Sequence, residues 1–274
     1  MPLQCDVNQM ENEVKRCLPL KKGVIYGPVP SRRLGDSLGI NLSPTERKIC
    51  SFNCVYCHYG WSNVVTMDTE KYEDQFPSIE EVTESLEAFL LNNPQPGYIT
   101  FSGNGEPSTH PRFHQIVPEV LKIRDKLAPG VKVTILSNST TAGNPTVMDA
   151  LRKLDIRFMK LDCGDEMTFK RFNRPAAGVT LDGIIENLSK MDMPIIFQTM
   201  LADGKSGNFN RSSINGFVAA VGKTRPESIQ LYSLDRPTPD GSLRGLTKEQ
   251  LRELSERIVL ETGIPVEIFG KREV

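Results

Sequence analysis

Short β-rich runs alternate with amphipathic stretches from Leu38 onward, and this alternation limits the fold more than any other feature of the chain. The runs are LGINL (38–42), YITF (98–101), VKVTIL (131–136), IRFMKL (156–161), PIIFQTM (194–200) and SIQLY (228–232). Each is short and bounded by Gly, Pro, Asn or Asp, the pattern of strands between turns. The stretches between them carry helical signals. Ser78 and Glu81 form a capping-box pattern ahead of Val82, Leu86, Phe89 and Leu90, and Thr247 with Gln250 does the same ahead of Leu251, Leu254 and Ile258. Leu181, Ile184, Ile185, Leu188 and Met191 keep helical spacing. The stretch 113–127 is also helical in period, with Pro118 inside it, so its helix is expected to begin or kink there. Strands alternating with helices imply parallel pairing through right-handed crossovers. The pattern leaves an open doubly wound sheet and a barrel both available. Either one places ligands at the carboxyl ends of its strands.

At 274 residues, with 38% apolar and 24% charged residues, the chain can bury a sizeable core without staples. A net charge of −1 gives no global basic field to attract nucleic acid. No apolar run reaches the roughly 18 residues of a membrane span, and the first residues lack the apolar segment of a secretory signal. A reducing cytoplasmic setting is expected, in which cysteines are thiols or metal ligands rather than disulfides.

Six cysteines are present, and Cys50, Cys54 and Cys57 fall within eight residues, CSFNCVYC. Three thiolates suit zinc or an iron–sulfur cluster. Zinc needs a fourth ligand, and the candidates His58, His110, His114 and Cys163 are either adjacent in sequence or on other loops. A thioredoxin-like reading of CVYC leaves Cys50 without a job. A four-iron cluster held by three cysteines keeps one iron open to bind and reduce something. The other unusual residues also follow strands: SGNGEP after the second run, SNS after the third, DCGD after the fourth.

The spacing Cx3Cx2C, with Tyr56 just before the third cysteine, resembles the signature of the radical S-adenosylmethionine (radical SAM) superfamily. FSGNGEPSTHP from Phe101 resembles its Gly-Gly-Glu segment, here reading Gly-Asn-Gly-Glu. GPVPSRRLGDSLGINLSP from Gly27, MKLDCGDEMTFKRFNRP from Met159 and LYSLDRPTPD from Leu231 resemble blocks of one branch, the wyosine-synthetase-like Fe–S oxidoreductases. The resemblance covers roughly residues 27–240. It implies an α/β fold, a partial (β/α)6 TIM-type barrel with parallel strands, as a single domain over residues 1–274. The core is expected over about 24–240, with an extension at 1–23 and a helix and strand at 241–274.

The resemblance also implies roles. Cys50, Cys54 and Cys57 would hold three irons of a [4Fe–4S] cluster, and the fourth would chelate the amine and carboxylate of S-adenosylmethionine. An electron from the reduced cluster would cleave the sulfonium, giving a 5′-deoxyadenosyl radical that takes a hydrogen atom from substrate. Tyr56 would lie against the adenine. Gly103, Asn104, Gly105 and Glu106 would meet the methionine ammonium, since glycines admit backbone carbonyls and a carboxylate is a charge-assisted acceptor. Ser137, Asn138, Lys160 and Asp162 would line the mouth near ribose and carboxylate, and Gln198 would face the adenine or ribose. Cys163 stands at the expected mouth as a hydrogen-atom donor or a small buried residue; Cys5 and Cys17 read as inert. Ser31-Arg32-Arg33, Arg47, Lys48, Lys170, Arg171 and Arg174 would form a basic rim suited to a phosphate-bearing substrate, and Arg236 would orient substrate or pair internally. A small electron donor such as flavodoxin or ferredoxin is implied. The substrate is open among a small molecule, a peptide and tRNA, the last as in the wyosine pathway. A non-enzymatic Fe–S electron carrier and a zinc-binding regulatory module are the competing classes.

Overall fold

The computed structural model describes residues 17–270, so Cys5 and most of the expected extension lie outside the described residues. The chain opens with an antiparallel hairpin, β1 (Ile25–Ser31) and β2 (Gly35–Ile40). The cysteine segment follows, with the two-residue strands β3 (Ile49–Cys50) and β4 (Val64–Val65) paired in parallel. Then come α1 (Ile79–Asn92), β5 (Tyr98–Phe101), α2 (Phe113–Leu127), β6 (Lys132–Ser137), α3 (Pro145–Lys153) and β7 (Ile156–Met159). Two helices, α4 (Glu166–Phe172) and α5 (Leu181–Ser189), lead to β8 (Ile196–Asp203) and α6 (Arg211–Thr224). The chain closes with β9 (Ser228–Ser233), β10 (Arg244–Gly245), α7 (Lys248–Thr262) and β11 (Val266–Phe269). The main sheet runs β1-β2-β5-β6-β7-β8-β9-β11, and along this path from β2 to β11 successive strands are parallel; β10 pairs antiparallel with β8 off the path. It curls into a half-barrel, the partial barrel that the alternation and the resemblance lead one to expect.

The local signals act as written in the sequence. Ser78 Oγ accepts from Glu81 N at 3.1 Å while the Glu81 carboxylate accepts from Ser78 N at 2.6 Å, which starts α1. Thr247 and Gln250 do the same for α7. Val82, Leu86 and Leu90 then turn inward from α1. Expected and observed strands differ at their ends. β2 stops at Ile40, freeing Asn41 and Leu42, and β7 stops at Met159, placing Lys160 and Leu161 in the loop beyond. The helix α2 begins at Phe113, so Pro118 sits within it rather than at its start. β1 was not foreseen, because Gly27, Pro28 and Pro30 argue against a strand; an edge position tolerates them.

Period-2 alternation gives the sheet two unlike faces. Ile99, Phe101, Val133 and Ile135 join one core with the helices, and the Phe101 and Phe113 rings meet edge-on at 5.7 Å. The face along the opposite residues is polar. Ser37 Oγ and Thr100 Oγ1 share a hydrogen bond at 2.6 Å, Thr134 Oγ1 reaches Thr100 Oγ1 at 3.5 Å, and Gln198 Nε2 donates to Gln230 Oε1 at 3.4 Å. Buried polar groups need such partners, and adjacent strands in register supply them. Among the described residues no helix is long and apolar enough to cross a membrane.

Two features fix the loop after β5. A side chain at Gly105 would place its Cβ 2.2 Å from Ile49 O and 2.7 Å from Ser43 Oγ, so only glycine lets this loop lie against the strand that leads into Cys50. His110 anchors the other end. Its Nδ1 accepts from Arg112 N at 3.0 Å, which leaves Nε2 to donate to Pro77 O at 2.9 Å. The ring is therefore neutral. Burial, with a smaller push from Arg112 and against the pull of Pro77 O and Glu73, lowers its pKa from about 6.5 to about 4.

Two outcomes follow from this loop. Replacing Gly105 with Ala lowers the free energy of unfolding by about 1–3 kcal/mol, read by chemical denaturation, because backbone must move. The unfolded chain binds a proton at His110 more readily than the folded one, so stability is lost as pH falls from 6.5 toward 4. The contribution is on the order of 3 kcal/mol, and H110N shows a correspondingly flatter acid limb in pH-dependent denaturation.

Candidate functional site

The cysteine loop carries little regular structure of its own and is held by a distant segment. Asn53 N donates to Asn173 O at 3.0 Å, Val55 N to Phe172 O at 3.0 Å, and Ala176 N to Ser51 O at 2.9 Å. The Phe52 ring meets Phe169 edge-on at 5.4 Å. Within the loop, Cys57 N donates to Cys54 O at 3.2 Å and Gly60 N to Cys57 O at 3.0 Å, so the last two cysteines sit on consecutive turns. The FKRFNRP stretch, whose sequence suggested a basic rim, is thus the buttress of the cysteine loop.

Each of the three sulfurs faces a nitrogen donor. Lys48 Nζ lies 3.0 Å from Cys57 Sγ, Asn173 Nδ2 3.6 Å from Cys54 Sγ, and Asn138 Nδ2 3.9 Å from Cys50 Sγ. At two of these cysteines burial pushes the thiol pKa up, to about 11 at Cys50 against the pull of Lys48, and to about 12 at Cys54 with a further push from Asp162. These are not free reactive thiolates; a bound metal would have to displace their protons. Among the described residues no three His, Cys, Asp or Glu side chains close on a single metal ion. The donor set is soft, all sulfur, spread along one loop and backed by N–H groups, which suits an iron–sulfur cluster, where each thiolate binds a different iron. Cys17, read from sequence as inert, lies against this loop at Gly60, and Leu18 N donates to His58 O at 2.7 Å.

Most of the other expected residues gather at the carboxyl ends of β5, β6 and β7, whereas Gln198 lies within β8, at its third residue. Gly103 adopts a φ of 133°, and a Cβ there would stand 2.5 Å from Asn41 Oδ1. Asn104 turns its amide inward, bridging Lys21 N, Lys21 O and Pro44 O. Glu106 is also buried. Its carboxylate accepts from Ser108 N and Oγ and from Asn138 N, so it ties the β5 loop to the β6 loop. Burial raises its pKa, opposed by these bonds. Ser137 Oγ accepts from Ser139 N at 3.1 Å. Asn138 reaches Ser51 Oγ at 2.8 Å, linking β6 to the cysteine loop. Gln198 is buried beside Gln230.

Asp162 is the meeting point of the site. One oxygen accepts from Tyr56 OH and from Asn173 Nδ2 at 2.9 Å; the other accepts from Met200 N at 2.9 Å and lies 3.6 Å from Lys160 Nζ. Lys160 also donates to Tyr232 OH at 2.6 Å. Burial alone would lower the Lys160 pKa, but Asp162 and Tyr232 outweigh it, and the ammonium is held above its usual range. Cys163 is wholly buried and donates to Asn173 Oδ1 at 3.4 Å; burial drives its pKa well up, which fits a small packed residue.

Most residues of the expected basic rim have partners of their own. Arg47 binds Gln75 Oε1 at 2.7 Å and lies over Tyr72. Arg171 donates to Gly207 O at 3.1 Å, Arg174 lies over Trp61, and Lys170 pairs with Glu166 at 3.3 Å. Arg32 pairs with Asp235 at 3.0 Å, and Arg33 stacks on Tyr232 at 4.3 Å. Arg236 stays exposed. Lys48 goes inward instead. Burial opposes its charge, yet the nearby Cys57 and Cys50 sulfurs raise its pKa. Sequence reading missed Asn173 altogether and misplaced Lys48; the one hint was their position, beside Arg174 and two residues before Cys50.

Residues 48–206 match the family model of the radical SAM superfamily, more than half of the chain. A Brachyspira hyodysenteriae protein named GTPase Obg is 28% identical over 94% of this chain, which spans 36% of it. A UPF0026 protein of Methanocaldococcus jannaschii is 36% identical over 60% of this chain and 48% of its own length. The chain therefore spans about a third to a half of these two relatives. A radical SAM methyltransferase from Sphaerobacter thermophilus shares the fold, with a TM-score of 0.58 at 14% identity over 87% of this chain and 67% of that one. The half-barrel, the sulfur-bearing loop at its strand ends and the family match agree: the chain belongs to the radical SAM superfamily, whose enzymes use a [4Fe–4S] cluster and S-adenosylmethionine.

Proposed function

We propose that Cys50, Cys54 and Cys57 hold three irons of one [4Fe–4S] cluster and that the chain uses S-adenosylmethionine to abstract a hydrogen atom from its substrate. The observation that carries this reading is the donor set: three sulfurs on one loop, each backed by an N–H group, without convergence on one ion among the described residues. A structural zinc site would draw four ligands to a point. When bound, the cluster and S-adenosylmethionine supply one-electron cleavage of the sulfonium and the radical that takes the hydrogen atom.

The chain's own residues bind and orient. Asn138 and Asn173 steer Cys50 and Cys54 from β6 and from the segment after α4. The backbone at Gly103 and Gly105 is the part of the β5 loop suited to the methionine ammonium, because Asn104 spends its amide on Lys21 and Pro44. Glu106 contributes its negative charge beneath that loop and locks it to Asn138. Ser137, Asn138 and Gln198 are assigned to the ribose and adenine. Tyr56, fixed by Asp162, is assigned to the wall beside the adenine and excludes water from it. The electron comes from a small cytoplasmic donor of the flavodoxin or ferredoxin class.

The test is formation of 5′-deoxyadenosine. Protein reconstituted without oxygen, given S-adenosylmethionine and dithionite, forms it above the level of a Cys54→Ala control. Protein that retains about one zinc per chain and no sulfide after the same treatment overturns the assignment.

A further inference from the structure

Lysine is among the residues least often buried, yet Lys48 is only 2% exposed. Its backbone leaves it no choice. Lys48 N donates to Asn63 Oδ1 at 2.8 Å, and Lys48 O accepts from Asn63 N at 2.9 Å and Val64 N at 3.1 Å. This clamp, together with the pairing of β3 with β4, sets the register that turns the side chain inward. The ammonium then donates to Gly60 O at 2.6 Å and to Cys57 Sγ at 3.0 Å. Among the described residues no carboxylate stands within ion-pair distance of it. Lys160, the other withdrawn lysine of the site, has Asp162 at 3.6 Å. Among the described residues, the Cys50 and Cys54 sulfurs have neutral amides as donors, and the Cys57 sulfur has a charged one.

We propose that Lys48 is a positioning residue for electron uptake: its ammonium, bonded to the Cys57 sulfur, raises the reduction potential of the cluster. The proposal rests on the ligand assignment above. Adding one electron places one more negative charge on the cluster and its sulfurs. A fixed positive charge at hydrogen-bond distance stabilises that reduced form more than the oxidised one, and burial keeps water from screening the difference. Hydrogen bonds to ligand sulfurs and local charge are recognised controls of cluster potential. The electron enters from an external low-potential one-electron donor, and the effect is to bring the cluster within that donor's reach.

The test compares wild type with K48M, K48Q and K48R after anaerobic loading with iron and sulfide. The midpoint potential is read by EPR during a mediated redox titration without S-adenosylmethionine. K48M and K48Q shift the midpoint to more negative potential, and K48R, which keeps the charge, stays closer to wild type. A neutral variant with full iron and sulfide content and an unchanged midpoint overturns the proposal. So does loss of the cluster from both neutral variants while wild type retains it, which makes Lys48 an assembly residue. A wild type that takes up no cluster defeats the ligand assignment itself, and this proposal with it.

Discussion

The cysteine loop stands where it does because a second segment, with Asn173 lying 119 residues beyond Cys54, hydrogen-bonds to its backbone. Between β3 and β4 the loop has no ladder of its own. Bonds from Asn53 N and Val55 N to the 172–174 backbone, and from Ala176 N to Ser51 O, replace one. Asn173 adds a side-chain link to Cys54 Sγ and to Asp162, and Asp162 in turn holds Tyr56. One buried amide thereby links the Cys54 sulfur, the Tyr56 ring and the loop after β7.

The barrel interior solves a second problem. A sheet with one polar face inside a protein is costly unless each group finds a partner. Parallel register brings like residues level: Thr100 beside Thr134, and Gln198 beside Gln230. The same logic extends to the strand ends, where Glu106 meets Asn138 N and Asn138 meets Ser51. The loops after β5 and β6 and the cysteine loop thus form one hydrogen-bonded rim. Gly105 allows the close approach that this rim requires.

Much of this was legible in the sequence, for identifiable reasons. YITF reads as a strand with its true bounds because Gly97 and Ser102 flank an apolar run. The capping boxes mark the starts of α1 and α7 because they are local and reciprocal. That Cys50, Cys54 and Cys57 share one loop follows from spacing, since they fall within eight residues. What was not legible depends on contacts distant in sequence. Nothing near Asn173 says that its amide reaches Cys54. Nothing near Lys48 says that it turns inward, because Asn63 decides that. Asn104 looked like a ligand contact from its place in the glycine-rich loop, but the backbone of Lys21 and Pro44, 83 and 60 residues away, claims its side chain. The hairpin strand β1 was hidden by its own prolines.

The central claim is that three cysteines leave one iron of a cluster open to S-adenosylmethionine. Mössbauer spectra of protein reconstituted with 57Fe, recorded with and without S-adenosylmethionine, test it directly. The expected result is a [4Fe–4S] spectrum in which a single iron site changes when S-adenosylmethionine is added while the others stay as they were. A cluster spectrum indifferent to S-adenosylmethionine would contradict it.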